Sequence, residues 1–281
     1  MSIRPQQWRQ ARGSLPDVLP RLLDLAESVP ADRLVTAHWT VADTLAHLAT
    51  ITALDVALAR NTPPDLPVPG LDELLAVTTV DTVAGMNDKI MARFTERRVP
   101  ELTARLRADV ESLLEATGDA DPAREVDWLG GSRVHLAGLL AHLLNEFNIH
   151  AWDIARAVGA PWHTDPRDAT QFVEVFLTGV ARCGYGRLLD REGRVRPGRI
   201  AVTFAPREGA PVTLALTDGR VTLEPPDPRP DVRLSYDPAT FNLMMFGRVG
   251  KAKAVVTGKL AVGGRRPWLL PAFLRTMRVP S

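Results

Sequence analysis

The chain has 281 residues, about twice the length of a common domain, so two domains are expected. A hydrophobic share of 45% and a charged share of 24% are ordinary globular values, which exclude a disordered, collagen-like or low-complexity chain. The 34 basic and 33 acidic residues nearly cancel. This balance argues against a dedicated nucleic-acid-binding protein, because binding phosphates requires a surplus of cations.

The signals of secretion and of membrane insertion are missing from the sequence. Cys183 is the single cysteine, so no disulfide can form within the chain. The N-terminal basic residues are not followed by a long apolar core, and no stretch approaches ~18 uncharged apolar residues. We therefore expect a cytoplasmic protein without a signal peptide or a membrane-spanning segment.

Helical periodicity dominates the first 160 residues and predicts an up-down four-helix bundle. Thr40 with Asp43 three residues later predicts a capping box, from which a helix runs to about Arg60. Residues 61–70 contain four prolines and are predicted to be a loop. Ser132 is expected to cap the last helix of the bundle. The predicted helices cover residues 15–28, 41–60, 71–98, 101–117 and 132–158.

The pattern changes after about residue 161, where one more helix is predicted over 168–183. Alternation with a period of two follows and predicts strands at 200–204, 212–216, 221–223, 232–236 and 255–262. Asp218-Gly219 is a strong hairpin signal, and Asp237-Pro238 is typical of a helix start. The sequence therefore predicts an α+β protein with a helical bundle over 1–160, a connecting helix over 161–185 and a mixed α+β domain over 186–281.

One predicted helix carries a stripe of ionisable side chains. Glu146 and His150 are four residues apart and project from one face, with His142 one turn before them and Asp153 one turn after. A carboxylate and an imidazole on a partly apolar face must be paired, hydrogen-bonded or bound to a metal. Glu and His at this spacing are one way in which helical bundles build metal sites.

A third ligand has to come from another helix, and His47 is the best candidate because it lies in a strongly helical, apolar segment. A site of His47, Glu146 and His150 would combine two neutral ligands with one anion, which suits a Lewis-acid metal that keeps open positions. From spacing alone, a hydrogen-bonded core histidine and a chance Glu/His pair remain the alternative.

Two segments resemble a known family. The run Trp39-Thr40-Val41-x-Asp43-x-Leu45-Ala46-His47-Leu48, with the Glu-x-x-x-His-x-x-Asp run that starts at Glu146, resembles the mycothiol-dependent maleylpyruvate isomerases of the DinB-like metalloenzyme superfamily. The segments 237–241, 246–248 and 258–264 are similar to a sterol-carrier-like domain. The resemblance implies a DinB-like up-down four-helix bundle followed by a small sterol-carrier-like α/β domain.

The resemblance also implies a cofactor and an activity. It places Zn²⁺ or another divalent metal on His47, Glu146 and His150, with mycothiol as cosubstrate. The implied activity is that of an isomerase or S-transferase in which a metal-bound thiolate attacks an electrophilic small molecule. A non-catalytic small-molecule binding protein and a metal hydrolase on the same bundle remain alternatives. We expect a monomer or weak homodimer that acts on small molecules and binds no nucleic acid.

Further residues are candidates for catalysis and for binding. Asp153 could orient His150, act as a base, or form an ion pair with Arg156. Arg93 and Arg248 are the other catalytic candidates, and Arg248 could bind a substrate carboxylate. The alternative for both arginines is a solvated surface position.

The remaining candidates concern the cosubstrate and the metal. Asn87 and Lys253 are predicted to contact the thiol cosubstrate, with solvated positions as the alternative. His142 could be a fourth ligand, a support for the ligands, or a polar residue at the bundle edge. Cys183 is expected to be a small buried residue, because no histidine lies near it in the sequence.

Overall fold

A computed structural model describes residues 3–190 and 197–278 of the chain. In these residues a helical N-terminal part precedes a mixed sheet with helices, which confirms the predicted fold class. The helices of the N-terminal part are α1 (Pro5–Glu27), α2 (Val41–Arg60), α3 (Leu71–Val77), α4 (Val83–Arg93), α5 (Val99–Ala116) and α6 (Leu136–Val158).

Helices α1, α2, α5 and α6 form the bundle, and their order around it decides which side chains meet. Helix α1 packs mainly against α5 and α6, and α2 packs against the same two helices. Consecutive helices α1 and α2 therefore lie diagonally opposite each other, while α2 and α6 are neighbours. This neighbourhood brings His47 close to the stripe on α6.

Helix α2 begins and ends where the sequence predicts. The Thr40 hydroxyl accepts a hydrogen bond from the Asp43 backbone at 3.1 Å, and the Asp43 carboxylate accepts one from the Thr40 backbone at 3.0 Å. Asn61 ends the helix in the left-handed conformation. By length and composition α2 could cross a membrane, but 72% of its apolar 18-residue stretch is buried inside the protein. Its apolar character is therefore that of a core helix.

Two predicted helices of the N-terminal part differ from the structure. Helix α1 begins at Pro5 rather than at residue 15. Its first turns are polar in sequence, but they still bury Gln7, Ala11 and Ser14 against the rest of the protein. The single helix predicted over 71–98 is wrong: α3 and α4 are separate and α4 ends at Arg93. The helix is interrupted between them, where the Val80 backbone donates a hydrogen bond to the Leu188 carbonyl at 2.9 Å. The local sequence does not reveal this partner.

A short hairpin precedes the last helix of the bundle, in place of the predicted cap. Strands β1 (Glu125–Asp127) and β2 (Arg133–His135) pair antiparallel, and α6 begins only at Leu136. Ser132 is not the cap, because its hydroxyl donates backwards to the Leu129 carbonyl at 2.7 Å. Gly130 and Gly131 both have a φ of 66°, which lets the hairpin close.

The predicted connecting helix is present but is irregular in its middle. It consists of α7 (Pro166–Gln171), a π-helical segment (Phe172–Leu177) and α8 (Thr178–Cys183). The connecting helix packs against α6 through α7 and the π-helical segment, while α7 and α8 also contact helix and strand elements of the C-terminal part.

The C-terminal part is built on a five-stranded sheet in the order β5-β4-β3-β6-β7. Only β3 and β6 are parallel; the other neighbours are antiparallel. Asp218 and Gly219 both have positive φ between β4 and β5, which confirms the predicted hairpin. The strands are β3 (Arg199–Pro206), β4 (Val212–Thr217), β5 (Arg220–Glu224), β6 (Val232–Tyr236) and β7 (Leu260–Gly263).

Three helices accompany the sheet: α9 (Pro238–Met245), α10 (Lys251–Val256) and α11 (Leu270–Leu274). The strand predicted over 255–262 is wrong in its first half, because α10 extends to Val256 and β7 starts at Leu260. Gly258, with a φ of 68°, reverses the chain between them. Helix α9 contacts the bundle through the Asn242 amide, which donates to the Asn145 side chain and to the Ala169 carbonyl, both at 3.0 Å.

Candidate metal centre and its cavity

The structure brings the three predicted metal ligands together, although they come from two separate helices. The Nε2 atom of His47 on α2 lies 3.7 Å from Oε2 of Glu146 on α6. The Nε2 atom of His150, one turn further along α6, lies 3.4 Å from the same oxygen. All three side chains are buried, and one atom of each lies within 4.8 Å of the others.

The donor set and its spacing fit a divalent metal of the zinc type. With Zn–N and Zn–O bonds of about 2.0–2.2 Å and a tetrahedral angle, ligand atoms are separated by roughly 3.4 Å. The two observed nitrogen–oxygen distances, 3.4 and 3.7 Å, are close to this value. Three protein ligands leave one position open, which is the arrangement of catalytic rather than structural sites.

The charges of the cluster favour a cation. Burial alone would raise the pKa of Glu146, but contacts with His150 and His47 outweigh it and hold the pKa well below its ordinary value. Burial lowers the pKa of His47, which keeps its imidazole neutral. An ionised carboxylate and a neutral imidazole are the forms that bind metals.

His142 lies beside the cluster of His47, Glu146 and His150 and not at the bundle edge. Its Nε2 atom is 3.5 Å from Oε1 of Glu146, the oxygen that does not face the other two histidines. Burial lowers the pKa of His142. The ring of Trp128 packs edge-on against it with centroids 4.9 Å apart. The ring of Trp39 packs against that of His47 with centroids 4.6 Å apart.

Asp153 connects the cluster to the C-terminal part, because it contacts both His150 and Arg248. Oδ2 of Asp153 lies 3.5 Å from Nδ1 of His150 and accepts a hydrogen bond from Arg248 at 2.8 Å. Burial would raise the pKa of Asp153, but His150 and Arg248 lower it below the ordinary value. Asp153 therefore pairs with Arg248 rather than with Arg156, whose guanidinium binds the Val35 carbonyl.

The cluster opens into a large cavity of about 1480 Å³ between the bundle and the C-terminal part. Its lining includes His47, Glu146 and His150 of the bundle and Phe246 and Arg248 of the C-terminal part. The remaining lining is mostly apolar. A buried polar cluster in an apolar cavity of this size is typical of a small-molecule site.

The other predicted site residues are divided by the structure. Asn87, on α4, lines the cavity together with Arg248 and Asp153. Arg93 is exposed at the end of α4 and does not border the cavity. Lys253 is exposed on α10 and is also outside it. Because both side chains face solvent, the structure does not bring them to the cluster.

Asp55 is a cavity residue that sequence reasoning missed. It lies on α2 two turns after His47 and is fully buried, and neither of its carboxylate oxygens has a hydrogen-bond partner among the residues that the structure describes. Burial, with the charge of Glu146 as a further cause, raises its pKa well above the ordinary value. One signal could have found it: Asp55 is the single acid of α2 beyond its first turn, in a mostly apolar helix.

Family models match both parts of the chain. The family model described as the mycothiol maleylpyruvate isomerase N-terminal domain matches residues 8–155, more than half of the chain. The model of the SCP-2 sterol transfer family matches residues 196–265. No curated protein sequence matches the chain.

Two solved structures are similar over most of the chain. One is a crystal structure of the mycothiol-dependent maleylpyruvate isomerase, with a TM-score of 0.47, 15% identity and coverage of 91% of this chain and 92% of the other. The second is a histidine-to-alanine mutant of such an isomerase, with a TM-score of 0.48 and the same identity and coverage.

Proposed function

The chain belongs to the mycothiol maleylpyruvate isomerase N-terminal domain family, an enzyme family, and from this premise we propose that it is a thiol-dependent isomerase of a small electrophilic molecule. The thiol is of the mycothiol type. The observation that carries the proposal is the His47, Glu146 and His150 cluster, which lies open to a cavity large enough for a thiol and a second small molecule.

We propose that these three side chains hold a divalent metal, with zinc as the best fit to two imidazoles and one carboxylate. When bound, the metal would act as a Lewis acid that lowers the pKa of a thiol and so supplies a thiolate for attack on the electrophile near neutral pH. The chain itself contributes an ionised Glu146 and a neutral His47. Burial would lower the pKa of His150, but its contacts with Asp153 and Glu146 raise it, so this ligand would release a proton when it binds the metal.

Asp153 is proposed to position His150. It lies against the ring nitrogen that faces away from Glu146, and a carboxylate there fixes the tautomer and orientation of a ligand imidazole. Its lowered pKa keeps it ionised, which suits this role better than that of a general base for a thiol. Arg248 in turn holds Asp153 and adds a positive charge to the cavity wall, where an anionic substrate group would be attracted.

The proposed setting follows from the proposed reaction. Both partners are small molecules, and the cavity between bundle and C-terminal part would shield them from water. A cytoplasmic location is proposed with it. Arg93 and Lys253, which are exposed, have no part in the proposal, whereas Asn87 is proposed to contact the thiol or the substrate because it lines the cavity.

The test is a conversion assay with mycothiol and maleylpyruvate, in which the product is separated from the substrate by liquid chromatography before its mass is measured. We expect a product of unchanged mass that forms only when the thiol is present. His47→Ala should lower the rate by at least about 100-fold, as loss of a metal ligand does. His163→Ala, at an exposed histidine outside the cavity, is the matched control and should leave the rate unchanged.

The other products would contradict the proposal in distinct ways. A stable thiol conjugate would make the protein an S-transferase, and addition of water without a need for thiol would make it a hydrolase. No conversion, with mycothiol bound unchanged, would make it a binding protein.

A further inference from the structure

A second group of metal-ligating side chains lies away from the cavity, where the β1–β2 hairpin meets the end of α8. Glu125 on β1 is the register partner of His135 on β2, so both side chains lie on the same face of the hairpin. Cys183, the last residue of α8, places its Sγ atom 3.5 Å from Nε2 of His135. None of the three residues borders the cavity.

The backbone holds this arrangement in place. The Arg133 backbone donates a hydrogen bond to the carbonyl of Gly184 at 2.8 Å, which ties β2 to the residue after Cys183. The Nδ1 atom of His135 lies 3.0 Å from the Ala123 carbonyl. In the tautomer that donates this bond, Nε2 carries the lone pair, and Nε2 is the ring nitrogen nearer to Cys183. The Nδ1 atom of His135 is therefore held as in metal-binding histidines, and the Cys183 side chain, whose Sγ lies 3.7 Å from Nδ1 and 3.5 Å from Nε2, would have to turn toward Nε2 to share an ion with it.

The distance between the sulfur and Nε2 is compatible with a tetrahedral ion. A Zn–S bond of about 2.3 Å and a Zn–N bond of about 2.0–2.1 Å separate sulfur and nitrogen by roughly 3.6 Å. The observed separation is 3.5 Å. One atom from each of the three side chains lies within 4.8 Å of the others. Arg133 binds Oε2 of Glu125 at 2.8 Å, which leaves the other carboxylate oxygen available as a ligand.

We propose that Glu125, His135 and Cys183 form a second metal site, which takes a divalent ion of the zinc class and fastens the hairpin to α8. Thiolate and imidazole together select zinc-class ions over magnesium or calcium. The three ligands, of which Glu125 is partly exposed, leave the fourth coordination position to water. The site does not depend on the proposed isomerase activity.

Binding of a metal at this site displaces the proton of the Cys183 thiol. Burial, with the charge of Glu125 as the next cause, raises the pKa of the Cys183 thiol to about 11. Without a metal the thiol is therefore protonated near neutral pH. Binding forms the metal–sulfur bond and releases that proton to solvent.

The single cysteine allows a direct test by Co²⁺ titration of the full-length protein after chelation of bound metals. A thiolate-to-cobalt charge-transfer band in the near ultraviolet can arise only at Cys183, because the cluster of His47, Glu146 and His150 contains no sulfur. We expect the band in the wild type and in His47→Ala. It should be lost in Cys183→Ser.

His135→Asn separates a built site from a cysteine that binds cobalt alone. The asparagine amide can still donate to the Ala123 carbonyl, but the Nε2 ligand is removed. We expect at least about a 10-fold weaker affinity in this variant. Absence of the band in the wild type, or an unchanged affinity in His135→Asn, would overturn the proposal.

A second measurement covers the case in which a variant fails to fold. Zn²⁺ should slow the alkylation of Cys183 in the folded wild type by at least about 10-fold, because a coordinated thiolate is blocked. An alkylation rate that does not change with Zn²⁺ would also overturn the proposal.

Discussion

The ion pair between Arg248 and Asp153 connects the C-terminal part to the candidate metal centre, and its energy can be worked from the structure. Asp153 is 2% exposed and Arg248 is 21% exposed. Removing one partner of a buried pair costs about 3–5 kcal/mol, because the other charge is left without compensation. The partial exposure of Arg248, and the contact that Asp153 keeps with His150, reduce the expected loss for Arg248→Met to about 2–3 kcal/mol.

The assay is a double-mutant cycle measured by urea unfolding. Asp153→Asn leaves a guanidinium that still reaches solvent and should cost about 1–2 kcal/mol. The double variant should be less destabilised than the sum of the single ones, by about 1–2 kcal/mol. Lys259→Met breaks the half-exposed pair with Asp237 and serves as the control, with a cost below about 1 kcal/mol. Effects of Arg248→Met and Asp153→Asn that add within about 0.5 kcal/mol would refute the coupling.

Three further predictions concern residues in or around the bundle. Asp55 has a raised pKa in the folded protein, so its contribution to stability is lost as the pH rises above 3.8, the ordinary pKa of this side chain. Measured by urea unfolding, Asp55→Asn should therefore gain stability relative to the wild type between about pH 5 and about pH 8. A stability difference that stays constant with pH would contradict this. Gly130→Ala should cost about 1–3 kcal/mol, because a Cβ atom there would lie 2.5 Å from the Thr78 carbonyl oxygen; Gly131→Ala, with the same φ of 66° but open space, should cost less in the same assay. Phe147→Ala should cost about 3–5 kcal/mol by chemical denaturation, since the ring is fully buried in the bundle core, and a loss below about 1 kcal/mol would contradict this packing.

Local signals were sufficient for much of the fold. The capping box of Thr40 and Asp43 and the left-handed Asn61 define α2, and both are local features. Asp218-Gly219 likewise identifies the β4–β5 hairpin through two residues that accept positive φ. The β1–β2 hairpin was missed because its strands have three residues each, too few for an alternating pattern.

Long-range contacts account for the rest. The break between α3 and α4 depends on Leu188, more than a hundred residues away from Val80 in the chain. Spacing on one helix could align Glu146 with His150, but the order of helices around the bundle decides that His47 meets them. The partner of Asp153 is on the C-terminal part and not on its own helix, where Arg156 is the nearest arginine in sequence.

The central claim is that His47, Glu146 and His150 hold one divalent metal ion, and metal analysis of purified protein tests it most directly. The analysis should use Cys183→Ser as the background, so that the proposed second site cannot contribute. We predict about one equivalent of metal per chain in this background and loss of nearly all of it when His47→Ala is added, with the bundle still folded by circular dichroism. An equal metal content in the two proteins, or no metal in either after reconstitution with Zn²⁺, would contradict the account.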